Sequence, residues 1–170
     1  MIRFAEKLKA LQVFAPAQTT DAGEIDSYDI ARMWAHRYPG VSDYVWFVNP
    51  TVFSQLYNMV LGDTPVFLPP GGFSGAMYGS ILGRPVIETE YNPSLGLAGD
   101  ILLASPSQYA LITKGGVQAA SSIHVQFVTD ETAFRFVYRV DGEPTWYSTV
   151  QSYYASTDTF SPFVQLAATT

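Results

Sequence analysis

The order of elements predicts an α+β chain, and three observations carry that reading. Helical periodicity is confined to the first third of the 170 residues. Short strand-like runs punctuated by glycine and proline fill most of the rest. The longest alternating stretch, residues 117–140, has the period of two that marks a β-hairpin.

From the N-terminus, residues 1–13 fit a short amphipathic helix with Phe4, Leu8 and Leu11 on one face. Residues 14–23 have the Ala, Pro, Gln and Thr composition of a linker. Asp26 is placed to cap a second helix, with Asp29 at the third helical position. Ile25 and Ile30 are spaced as a hydrophobic staple. Ile30, Met33, Trp34 and Tyr38 form its apolar stripe, and Pro39 and Gly40 end it. Residues 44–48 are a continuous apolar run of strand length, read as buried on both faces. Asn49 and Pro50 then supply a cap and a first-turn proline. Val52, Phe53, Leu56, Tyr57 and Val60 line the predicted helix, which Gly62 stops.

Residues 63–79 read as a loop rich in proline and glycine, and exposed adaptable loops of this kind often carry function. Short strands follow at 81–82, 85–88, 101–104 and 108–113. One further apolar run, 160–166, lies in the polar tail. In the hairpin, a four-residue loop at 129–132 would pair Val128 with Ala133. That register sets Phe127 against Phe134, Val125 against Phe136 and Ile123 against Tyr138 on one face. A two-stranded ribbon is marginal alone, so this aromatic face needs a surface to lie against.

Composition bounds the function. Apolar residues make up 48% and charged residues 14%, which implies either a large core or a surface partly covered by partners. A net charge of −6 without a run of Lys or Arg offers no electrostatic footprint for nucleic acid. With no cysteine, disulfides, thiolate metal sites and thiol nucleophiles are excluded. No apolar run reaches the ~18–20 residues of a transmembrane helix and the start has no signal-peptide pattern, so a soluble cytosolic chain is expected.

Catalytic constellations are thin. Residues 72–76, GFSGA, fall one position short of a G-x-S-x-G elbow at Ser74, and Pro69 and Pro70 precede it where a strand should be. His36 and His124 are separated and read as surface or structural residues. Asp130 and Glu131, adjacent acids at a turn, could meet a cation but read as a solvated tip. No phosphate-binding glycine motif occurs. The residues predict a non-enzyme without cofactor or metal.

Several segments, in order and spacing, resemble a known family. They are YPG at 38–40, VWFVNP at 45–50, YGSILGRPVI at 78–87, GDILL at 99–103, SQY at 107–109, KGG at 114–116, SIHVQF at 122–127 and DETAFRFVYRVDG at 130–142. Together they are similar to the major capsid proteins of tailed bacteriophages, which have the HK-ninety-seven-type fold. The resemblance covers about residues 24–170.

It implies an axial domain, a mixed sheet flanked by helices, from residues 24–113 and 141–170. The hairpin, residues 114–140, would belong to a peripheral domain. Residues 1–23 have no counterpart in it, and the chain corresponds to the C-terminal part of such a subunit, without the arm, extended loop and spine helix. Some members cross-link through an Asn near the hairpin tip; none stands here.

The implied function is a head subunit, or a truncated prophage remnant of one, that associates with copies of itself. It would sit in the virion, or in the host cytoplasm during assembly, with other head proteins as partners in a full-length context. No membrane or sequence-specific nucleic acid partner is expected. The expected contact residues are Phe127, Asp130, Glu131, Phe134 and Phe136 on the hairpin, with Pro70, Gly71 and Gly72 in the loop. Alternatives are an encapsulin-like shell protein, a repurposed non-catalytic binding module, and a hydrolase using Ser74.

Overall fold

A computed structural model describes residues 13–15, 24–70, 78–154 and 158–168. In chain order the elements begin with β1 (Val13–Ala15), α1 (Ser27–Ala35) and β2 (Val45–Val48). A 3-10 turn, Pro50–Val52, runs into the short helix α2 (Phe53–Leu56). Then come β3 (Val60–Leu61), β4 (Thr64–Pro65), β5 (Phe67–Leu68), β6 (Ser80–Ile81), β7 (Arg84–Glu88) and β8 (Ile101–Ala104). The remaining strands are β9 (Tyr109–Thr113), β10 (Gln118–Gln126), β11 (Glu131–Val137), β12 (Val140–Pro144), β13 (Val150–Gln151), β14 (Thr159–Phe160) and β15 (Phe163–Leu166).

The main unit, residues 1–108 and 146–170, is built on a seven-stranded mixed sheet in the order β1-β15-β8-β2-β7-β6-β5. β2 and β7 are parallel, as are β1 and β15, and the other neighbours are antiparallel. The strand covered on both faces is β8, all four of whose residues are buried. β2 alternates between buried Trp46 and Val48 and half-buried Val45 and Phe47. The expectation of full two-sided burial at 44–48 is therefore corrected, because one face of β2 is covered less completely than the other.

Helix α1 starts as its sequence dictates. Asp26 and Asp29 form a reciprocal capping box, with the Asp26 N–H donating to Asp29 Oδ2 at 3.1 Å. Ile25, Ile30 and Met33 enter the core beside Trp46, Val48, Leu56, Ile101 and Leu103, and Trp34 stacks on Trp46 with centroids 6.4 Å apart. The helix ends at Ala35, before Tyr38. The backbone beyond it is drawn to the C-terminal segment, where Ser161 N–H donates to the His36 carbonyl and Tyr38 N–H to that of Ser161. His36 Nδ1 lies 2.9 Å from the Thr159 carbonyl oxygen, so this histidine is a structural tie.

The Asn49–Pro50 signal also acts as expected, and through more bonds than a cap needs. Asn49 Oδ1 accepts from the Thr51 N–H and hydroxyl, while its Nδ2 donates to the Asn92 carbonyl at 2.7 Å. Asn92 returns a 2.9 Å bond to the Phe47 carbonyl. The predicted helix over 52–60 is shorter than expected: Gly62 (φ 65) lies in the turn of the β3–β4 hairpin instead of ending a helix. Likewise, part of the loop expected at 63–79 is β4 and β5, and the last strand of the helix–loop region, β6, pairs with β5.

At the N-terminus, residues 13–15 pair with β15 as a parallel strand, which replaces the end of the expected helix and the start of the expected linker. The rest of that helix, residues 1–12, and most of the linker lie outside the described residues.

Candidate self-association surface

The second unit, Tyr109–Thr145, is a two-stranded antiparallel ribbon. β9 pairs with β12, Lys114 N–H continues the ladder to the Arg139 carbonyl at 3.0 Å, and β10 pairs with β11. This unit is longer than the expected hairpin of 114–140. Asp141 and Gly142 lie within β12. Gly142 stands opposite Leu111, and the Tyr109 ring fills the space its side chain would take. A Cβ there would come within 2.5 Å of that ring, whose hydroxyl donates to the Gly142 carbonyl at 2.8 Å.

The expected register is also corrected. The tip is Phe127–Asp130, closed by a 3-10 turn at Phe127–Thr129 and by Asp130 in the left-handed region (φ 56). Gln126 therefore faces Glu131. Further down, Ile123, His124 and Val125 stand opposite the single Thr132, a bulge on β10. Below it Ser122 faces Ala133, Ser121 faces Phe134 and Ala119 faces Phe136. Neither Phe127 nor Val125 is a cross-strand partner of the β11 aromatics; small residues are.

That pairing leaves the rings of Phe134 and Phe136 on one face, 70% and 69% exposed. Val128 at the tip is 98% exposed, and Leu111, Ile112, Val117 and Val125 are exposed as well. Among the described residues, none between Ala104 and Phe163 contributes to the buried apolar core. Large apolar side chains of this unit thus stand exposed to solvent. Its charges run in bands: Asp130 and Glu131 at the tip, Arg135, Arg139 and Lys114 in the middle, Asp141 and Glu143 at the base.

Of the expected contact residues, Asp130, Glu131, Phe134 and Phe136 share this ribbon and are exposed. Phe127 lies in the tip turn, but its side chain falls outside the described residues. Pro70 belongs to the main unit, on the rim of a groove of about 500 Å³ lined by Phe53, Tyr57, Phe67 and Tyr78. Gly71, Gly72 and Ser74 lie outside the described residues.

Sequence reasoning missed the exposure of the β9 apolar residues Leu111 and Ile112. Their signal was a strand-length apolar run flanked by Gln108 and Lys114.

Elsewhere, hydroxyl and carboxylate groups meet at Asp43. Ser105 Oγ donates to its Oδ1 at 2.6 Å and the Ser107 N–H to its Oδ2 at 3.0 Å. Burial pushes this carboxyl up, but the bonds from Ser105 and Ser107 outweigh it and hold the group below its ordinary value. The arrangement anchors the turn after β8. Among the described residues, no cluster of three or more His, Asp or Glu could hold a metal ion, and no helix is long and apolar enough to cross a membrane.

The described residues thus form two units, a mixed sheet packed by helix α1 and a solvent-exposed β-ribbon. The chain belongs to the phage capsid family, whose model matches residues 7–152. That span begins upstream of residue 24, where the residue-by-residue resemblance starts. Among solved structures, the chain is similar to the "Capsid of empty GTA particle computed with C5 symmetry", with a TM-score of 0.66 and 13% sequence identity. The match covers 96% of this chain and 56% of that one, so the chain spans little more than half the length of its structural neighbour. A comparison with curated protein sequences found no match.

Proposed function

We propose that this chain is a structural, non-catalytic subunit of an HK-ninety-seven-type capsid, and that its work is association with copies of itself through the ribbon. The observation that carries the reading is the division of labour between the two units. Among the described residues, one holds the buried apolar core, and the other offers exposed Leu111, Ile112, Phe134 and Phe136 to something outside itself. Phe134, Phe136, Asp130 and Glu131 are the contact residues in this reading, with Pro70 at a second contact in the main unit. Membership of the capsid family supports it, as does the likeness to a capsid structure.

The natural place of such a subunit is the shell of a virion. Light scattering over a concentration series tests the function. The expected result is a mass that rises above the 18.7 kDa of the single chain. A mass that stays at the single-chain value at every concentration would overturn it.

A further inference from the structure

The ribbon has two outer edges, and they differ. The β10 edge is broken by the bulge at residues 123–125, a device that hinders edge-to-edge pairing. The β11 edge, Glu131–Val137, runs seven residues without bulge, proline or glycine, and among the described residues β11 pairs with β10 alone. We propose that β11 pairs antiparallel with β11 of a second copy, around a two-fold axis at Phe134. This rests on the self-association reading above and names its geometry.

Backbone geometry limits the choices. Directly opposite residues in an antiparallel pair either exchange both hydrogen bonds or exchange none. When a strand meets its own copy through the same edge, even-numbered residues must therefore face even and odd must face odd. Phe134 and Phe136 then share a face with the same rings of the partner copy.

Charge and overlap choose among the remaining registers. Centring on Phe134 overlaps all seven residues: Glu131 faces Val137, Thr132 faces Phe136, and Ala133 faces Arg135. Glu131 then lies diagonal to Arg135 and Arg139 of the other copy, within reach of long side chains. The two Phe134 rings meet on the axis with a Phe136 diagonal to each, joining four rings into one apolar patch. Centring on Arg135 instead would oppose two arginines, an unfavourable pair. Centring on Ala133 shortens the overlap to five residues and sets Phe136 against Asp130 in the partner's left-handed turn.

The chain has no cysteine, so introduced thiols report only on themselves. Full-length Thr132→Cys, Phe134→Cys and Phe136→Cys variants are oxidised singly and in mixtures. The expected pattern is a covalent dimer of Phe134→Cys alone. Thr132→Cys and Phe136→Cys should cross-link poorly alone and readily when mixed. Independently of any change at Phe134, Glu131→Arg should weaken association several-fold, and adding Arg135→Glu and Arg139→Glu should restore it. A dimer that lacks both the cross-link pattern and the charge rescue overturns this geometry and leaves self-association standing. A chain that is monomeric at every concentration overturns both.

Discussion

The indole Nε1 of Trp46 donates a 3.0 Å hydrogen bond to the carbonyl oxygen of Ile81, reaching from β2 to β6 across the intervening strand β7. Both residues are fully buried, and Trp34 stacks on the same indole. One side chain thus ties three strands and the helix together. Replacing it by alanine removes the bond and opens a large cavity, so Trp46→Ala should cost roughly 3–5 kcal/mol of stability. Urea unfolding measures this, and a loss under about 1 kcal/mol would contradict the packing described.

Asn49 is a second keystone. Its amide bonds to the turn it caps and to Asn92, and Asn92 bonds back to the end of β2. Asn49→Ala leaves buried polar partners without their bonds, which costs about 1–3 kcal/mol. Asn49→Asp keeps the acceptor for Thr51 but loses the donor to Asn92, so it should also destabilise. An unchanged urea midpoint in either variant would contradict the network.

Within the ribbon, Gly142 is required by the ring packed over it, not by its backbone conformation. Gly142→Ala should displace the Tyr109 ring and break its 2.8 Å hydroxyl bond to the Gly142 carbonyl. Amide exchange across β9 and β12 should accelerate while the main sheet keeps its protection, since the two form separate units. Equal protection of β9 in variant and wild type would contradict this.

Asp100 gives a pH signature. Burial raises its carboxyl above the ordinary value of 3.8, against the opposing bonds from the Gly96 and Ile101 N–H groups; the nearby Asp29 carboxylate adds to the rise. The folded form therefore takes up this proton more readily than the unfolded chain. The stabilising contribution is complete below the ordinary value and is lost as the pH climbs through the raised one. Asp100→Asn stays neutral throughout. Its urea midpoint relative to wild type should improve as the pH rises above the ordinary carboxylate value. A difference that does not move with pH would contradict the assignment.

Local chemistry made much of this fold legible. The capping pair Asp26 and Asp29, the Asn49–Pro50 start and the strand at Ile101–Ala104 were all readable, because each depends on neighbours within a few residues. The hairpin was readable too, but its register was not. Uninterrupted alternation predicts Phe127 opposite Phe134, whereas the left-handed Asp130 moves the tip and the bulge at 123–125 shifts the stem. Neither feature leaves a glycine or proline in the sequence to announce it. Long-range choices were equally hidden. Nothing near residues 13–15 signals a parallel pairing with β15, and nothing near Asn92 signals that its side chain is buried beneath β2. On the surface, Phe134 and Phe136 were legible as one face since they share a strand.

In the proposed function, the apolar side chains of the ribbon are there for another chain. Sedimentation equilibrium at micromolar concentration compares the wild type with Phe134→Glu/Phe136→Glu. Both rings stand outside the chain's own core, so at a concentration where both proteins are single chains the double variant should unfold at the same urea concentration as the wild type. The expected result is a wild type that associates and a variant that sediments as single chains. A monomeric wild type, or a variant that associates equally well, would contradict it.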